Sequence, residues 1–207
     1  GMGTYSDTNH SLPFLKDSDI QEAHTINIAT AKALKNKFGE GYKGVLYGGF
    51  MATGNGVKLI EYNARFGDPE AMNVLSLLKS DFIDICERMA DGTLDGADVQ
   101  FQNKATVCKY AVPEGYPDNP VKGEPINVSN IENSDRLYYA SVDIKNGELV
   151  EAGSRTIAVV GMADSIAEAE AIAENEVSSV SGPLFHRSDI GTETVIQDRI
   201  NHMNSLR

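Results

Sequence analysis

Between residues 17 and 38 apolar side chains recur at three- and four-residue intervals (Ile20, Ala23, Ile26, Ile28, Ala29, Ala33, Leu34), and Gly39 follows them. That spacing lines one face of a long α-helix, with glycine as its stop. Two short apolar-rich runs, 44–52 and 57–63, then flank Thr53-Gly54-Asn55-Gly56 and predict a β-hairpin. Residues 69–78 and 81–90 predict two short helices, the first with proline at a tolerated early position and the second capped by Asp81. Residues 104–112 read as a strand that ends in Pro113-Glu114-Gly115-Tyr116-Pro117, a loop suited to separating two subdomains. Further on, 137–144 and 148–150 flank Lys145-Asn146-Gly147 as a second hairpin, 155–161 reads as a strand, and 165–180 as an amphipathic helix with Ala, Ile and Val on one face. The opening Gly1-Met2-Gly3-Thr4-Tyr5-Ser6-Asp7 is polar and turn-rich, and reads as a frayed piece cut from something longer.

Together these elements predict an α+β protein, with a mostly antiparallel sheet carrying helices on one face in residues 1–118 and a small β-rich domain in 119–207. A hydrophobic content of 41% over 207 residues is enough for a core. No window reaches the roughly 18 uninterrupted apolar residues of a membrane span, and no basic-then-apolar leader opens the chain, so a soluble, cytoplasmic protein with no membrane partner is expected. The net charge is −12 and Lys and Arg form no run, which argues against nucleic acid as a partner. Cys86 and Cys108 sit in apolar periodic segments and read as free buried thiols. His10, His24, His186 and His202 are scattered without partners at zinc-ligand spacing and receive no role.

The segment with chemistry in it is Leu59-Ile60-Glu61-Tyr62-Asn63-Ala64-Arg65-Phe66-Gly67-Asp68-Pro69-Glu70. If 57–65 is extended, the two-residue period puts Glu61, Asn63 and Arg65 on one face and Ile60, Tyr62 and Ala64 on the other. A carboxylate and an amide oxygen two positions apart are hard oxygen ligands that suit Mg²⁺ retaining waters and substrate phosphates. Arg65 would then meet anionic oxygen during phosphoryl transfer, with Asp68 in the turn just beyond. Pattern alone leaves a second reading equally open, in which Glu61 and Asn63 line the solvent face of an edge hairpin. For Arg65 and Asp68 the alternative is an ion pair that locks the turn.

Glu61-Tyr62-Asn63-Ala64-Arg65-Phe66-Gly67-Asp68-Pro69-Glu70 resembles the signature of phosphoribosylamine-glycine ligases, members of the ATP-grasp class. Gly1-Met2-Gly3-Thr4-Tyr5-Ser6, Tyr42-Lys43-Gly44-Val45-Leu46-Tyr47, Gly153-Ser154-Arg155 and Arg187-Ser188-Asp189-Ile190-Gly191 are similar to further family segments, so that nearly the whole chain is covered. The resemblance implies the C-terminal lobe of an ATP-grasp fold followed by a small C-terminal domain. It implies Glu61 and Asn63 as ligands of Mg²⁺ or Mn²⁺ bound with ATP, Arg65 on phosphoryl or carboxylate oxygens, and Asp68 on the amine side. The implied reaction is ATP-dependent joining of glycine to 5-phosphoribosylamine through glycyl phosphate, a step of purine synthesis. Gly49 stands where related archaeal sequences often have Gln, which leaves a third ligand from that strand in doubt. The Gly-rich phosphate loop, the adenine pocket and the substrate domain of the class are absent from the sequence. The expected partner is therefore a missing N-terminal half, and the chain alone is expected not to catalyse the reaction. The alternatives are a stand-alone, non-catalytic binding domain derived from such a ligase, and a carboxylase subunit of the same pathway. The run Arg65-Phe66-Gly67-Asp68-Pro69-Glu70 favours the glycine ligase over the latter.

Overall fold

A computed structural model describes residues 1–207. The chain runs β1 (Gly3–Ser6), α1 (Asp17–Phe38), β2 (Tyr47–Thr53), β3 (Gly56–Asn63), α2 (Glu70–Leu77), α3 (Phe82–Asp91) and β4 (Ala105–Pro113). It continues through β5 (Leu137–Tyr139), β6 (Val142–Lys145), β7 (Glu148–Glu151), β8 (Ile157–Ala163), α4 (Ile166–Ser179), β9 (Leu184–Phe185) and α5 (Glu193–Leu206). Two compact units emerge, and neither is a single stretch of sequence. The first gathers Gly1–Ser11, Asp68–Leu77 and Asn103–Val195, and the second gathers Leu12–Gly67, Leu78–Gln102 and Ile196–Arg207. No helix is long and apolar enough to cross a membrane.

The first unit is an antiparallel sheet in the order β1-β4-β8-β5, with β9 pairing the end of β4. Every residue of β4 is buried, as a central strand covered on both faces requires. Alternation then sorts its side chains. Cys108, Tyr110 and Val112 share a core cluster with Ala158 and Val160, against which Met2, Met72 and Tyr138 pack. Helix α4 packs on β4 and β8 through Ile166, Ala169, Ala173 and Val177, the face predicted from its spacing, and Ser165 caps it by accepting from the Glu168 amide. The close approach needs Gly161, where an added Cβ would lie 1.8 Å from the Ala169 carbonyl oxygen.

Lys109 is the exception on β4, since it is fully buried yet charged. Its ammonium donates to Glu170 Oε1 at 2.6 Å, Glu174 Oε2 at 2.5 Å and the Ser188 carbonyl at 2.9 Å, so all three of its protons are placed. Burial works against ionising Glu174, but hydrogen bonds from Lys109 and His186 outweigh it and hold its pKa below the ordinary carboxylate value.

The second unit packs α1 on the β2–β3 hairpin. At the start of α1 the Asp19 carboxylate accepts from the Lys16 amide at 2.8 Å, and Gly39 closes the helix in the left-handed conformation at φ 81°. None of the 22 residues of α1 is buried. A cavity of about 580 Å³, lined by Leu15, Ile20, Ala23, Phe50, Val57 and Met203 among others, lies beside it. Polar contacts tie helix to hairpin instead, with Glu22 accepting from the Val57 amide at 2.9 Å and Asn27 from the Tyr62 hydroxyl at 2.7 Å. Helix α3 begins at Asp81, whose carboxylate accepts from the Ile83 and Asp84 amides as expected of a cap.

Three expectations are corrected. The opening segment is β1, hydrogen-bonded to β4 in the register Gly3↔Lys109. Gly3 allows this because a Cβ there would sit 2.4 Å from the Cys108 carbonyl oxygen. The run 137–144 is two strands in different sheets, β5 beside β8 and β6 beside β7. It breaks at Ala140 and Ser141, whose amides donate to the Thr156 and Arg155 carbonyls. Cys86 is exposed, because α3 turns only Ile85 fully inward, while Cys108 is buried as expected. Burial, with the negative charges of Asp68 and Glu70 in support, pushes the Cys108 thiol pKa up and leaves it unreactive. Met51 on β2 is largely exposed.

Candidate metal-binding and substrate residues

Glu61 and Asn63 stand at alternate positions at the end of β3, and the Asn63 Nδ2 donates to Glu61 Oε1 at 3.0 Å. The two side chains therefore converge on one face, as the two-residue period requires. Tyr62 between them points the other way, onto α1 through Asn27 and edge-on to Phe50 with ring centroids 6.4 Å apart. That leaves the Glu61–Asn63 face clear of α1.

The period does not hold along all of 57–65. Gly49 pairs with Glu61 but Phe50 with Leu59, so Ile60 bulges out. Beyond Asn63 the strand has ended, and Arg65, exposed, donates through Nη1 to the Phe66 carbonyl at 2.7 Å. Arg65 is thus placed by the turn rather than by the pleat. Phe66 beside it packs against Phe82, with centroids 6.1 Å apart.

The donor set can be judged by its chemistry. A carboxylate and an amide already within hydrogen-bonding distance supply two hard oxygens, since rotation of the Asn63 amide presents Oδ1 in place of Nδ2. Gly49 lies opposite Glu61, and a Cβ there would be 3.6 Å from Glu61 Cγ, so a side chain at that position would reach the same place. Glycine supplies none, and no group of three or more His, Cys, Asp or Glu side chains suited to a metal occurs in the chain. Two protein oxygens fit a hard divalent cation that completes its shell with water and phosphate oxygens.

Asp68 belongs to the first unit, where it is the hub of a cluster. Its Oδ1 accepts from the Tyr110 hydroxyl at 2.9 Å and its Oδ2 from Arg155 Nη2 at 2.8 Å. Arg155 Nη1 donates at 2.9 Å to both the Asp68 and the Gly1 carbonyls, and its guanidinium lies over the Tyr110 ring, 5.0 Å from the centroid. Burial, then the hydrogen bond to Asp68 and its charge, push the Tyr110 pKa up, so the phenol remains a donor. The ion-pair partner of Asp68 is therefore Arg155. Sequence reasoning noticed Arg155 as part of the Gly153-Ser154-Arg155 turn without giving it a role, and did not single out Tyr110. Nothing in local spacing joins residues 68, 110 and 155.

The segment that carries the Glu61–Asn63 face is matched, over residues 1–71, by the model of the phosphoribosylglycinamide synthetase ATP-grasp (A) domain. This places it in the ATP-grasp class. Residues 106–193 match the C domain of the same synthetase. The chain belongs to the phosphoribosylglycinamide synthetase family. It is 55% identical over 210 residues to a phosphoribosylamine–glycine ligase of Methanocaldococcus jannaschii and 52% identical over 208 residues to one of Methanocella arvoryzae. Both alignments take in 100% of this chain, but only 47% and 48% of those relatives. The chain spans about half the length of the curated relatives it matches. Among solved structures it is similar to the phosphoribosylamine–glycine ligase of Thermotoga maritima, with a TM-score of 0.74 at 26% identity, covering 92% of this chain and 46% of that one.

Proposed function

We propose that this chain is one half of an ATP-dependent carboxylate–amine ligase that joins glycine to 5-phosphoribosylamine. The observation that carries the reading is the convergent Glu61–Asn63 pair, held on the face of β3 away from α1, in a chain 55% identical to a named ligase of that kind. A non-catalytic binding domain gives no physical reason to keep two hard oxygens facing the same way. The two family models match separate segments, 1–71 and 106–193, which supports a proposed division into an ATP-grasp part and a small C-terminal domain.

In the proposed reaction a glycine carboxylate oxygen attacks the γ-phosphorus of ATP. The P–O bond to ADP breaks as the new one forms, giving glycyl phosphate. The ribosylamine nitrogen then attacks the acyl carbon, the C–O bond to phosphate breaks, and the nitrogen gives up a proton. No protein nucleophile is needed, so the work of the protein is positioning and charge neutralisation. Glu61 and Asn63 would hold Mg²⁺ or Mn²⁺, which when bound neutralises charge on the ATP phosphates. Arg65 lies on a short turn directly after the pair and would meet phosphoryl or carboxylate oxygens. Asp68 would accept from the amine of the second substrate.

The test is reassembly. This chain is co-expressed with the half of the Methanocaldococcus jannaschii relative that it does not match, and ADP release is followed with glycine and 5-phosphoribosylamine present. Activity in the pair, and in neither half alone, is the expected result. ATP turnover with glycine by this chain alone would refute its dependence on a second half. An inactive pair, when the relative's own two halves reassemble into an active enzyme, would overturn the ligase reading.

A further inference from the structure

The Asp68 cluster is more elaborate than stability requires. Asp68 has a side chain 47% exposed, and an ion pair so placed contributes only about 0–1 kcal/mol. Even so, three separate donations converge on this residue, two to its carboxylate and one to its carbonyl. They hold backbone and side chain together and remove the freedom an exposed aspartate would otherwise keep. The anchoring runs inward. Tyr110 is 2% exposed, its ring belongs to the buried cluster of β4, and Arg155 lies across that ring. A carboxylate oxygen accepts two hydrogen bonds, so each oxygen of Asp68 retains one vacant acceptor direction, and the exposed side is where solvent or a ligand reaches it.

We infer that Tyr110 and Arg155 are positioning residues that fix the Asp68 carboxylate as an acceptor for the N–H groups of the amine substrate. The inference rests on the ligase reading above. The two donors occupy one direction on each oxygen and leave the outer pair free. Arg155 also bonds the Gly1 carbonyl, so one guanidinium sets the start of β1 and Asp68 together. A side chain so aligned before substrate arrives loses no rotational freedom on binding, and that saving falls on the amine alone.

Tyr110→Phe is the decisive variant, because it removes one hydroxyl and leaves the ring beneath Arg155. In the reassembled enzyme the KM for 5-phosphoribosylamine should rise about tenfold, with the KM values for ATP and glycine unchanged and the unfolding midpoint within about 1 °C of the parent. Arg155→Lys should shift the same constant further, since one ammonium cannot reproduce the fork. In an Asp68→Asn background Tyr110→Phe should add little, because both changes break one linkage. The inference is overturned if Tyr110→Phe leaves every KM unchanged. It is also overturned if all three KM values rise with a lowered midpoint, or if the two changes multiply independently. An active parent with a wild-type-like Tyr110→Phe defeats the positioning role alone, whereas an inactive reassembled parent defeats the ligase reading and this inference with it.

Discussion

Glu61→Ala should lower the turnover of the reassembled ligase about a thousandfold, the scale seen when a centre that neutralises developing charge loses a principal ligand. Glu61 is exposed and its carboxylate touches only Asn63, so the fold loses little and the unfolding midpoint should stay put. Gly49, opposite on β2, has no side-chain oxygen to offer in its place. The divalent-cation concentration needed for half-maximal rate should rise in the same variant. Asn63→Ala should move both quantities in the same direction but less, because a neutral amide holds a cation more weakly than a carboxylate. Full activity in Glu61→Ala at unchanged cation demand would remove β3 from the candidate site.

The second large effect concerns stability. Lys109→Ala should destabilise the protein by about 3–5 kcal/mol, the range found when one partner of a buried ion pair is removed. Glu170 and Glu174 would be left facing each other on successive turns of α4, with side chains only 18% and 33% exposed, and the buried alkyl chain would leave a void. Denaturant midpoints at two pH values measure this. Glu174 has a folded pKa below its unfolded one, so the stability it contributes is present above the unfolded value and is lost as pH falls through the folded one. The deficit of Lys109→Ala should therefore be largest near neutrality and should shrink as the solution is acidified past about pH 4.5, the ordinary carboxylate value. A variant as stable as the parent at pH 7 would show that the buried ammonium is not structurally required.

Where periodicity was long, the sequence was a sufficient guide. Helix α1 spans the residues its apolar spacing indicates, α3 begins at the cap its sequence announces, Asp81, and α4 fills the amphipathic stretch 165–180. The hairpin follows from Gly54-Asn55-Gly56, and the convergence of Glu61 and Asn63 follows from the pleat. The failures have a common physical source. β1 has no hydrophobic pattern of its own, and becomes a strand because β4 offers it an edge that a side chain at position 3 would obstruct. The division of 137–144 is set by the Arg155 and Thr156 carbonyls, well downstream. The bulge at Ile60 and the end of the strand before Arg65 come from pairing register, which composition does not encode. The cluster around Asp68 joins residues 42 and 87 positions apart, and only the folded sheet brings them together.

The interleaving of the two units has a consequence for the order in which the molecule can be made. The segment Ile196–Arg207 returns to the second unit after Asn103–Val195 has built most of the first. There Met203 is buried, the Leu206 carbonyl closes over Gly54, and Arg207 pairs with Asp19, 188 positions earlier. During synthesis the sheet around β4 therefore has all its strands before α1 and the hairpin have received their last helix. The closing contacts on Asp19 and Gly54, although those residues are encoded early, form only once the strands of that sheet have been made.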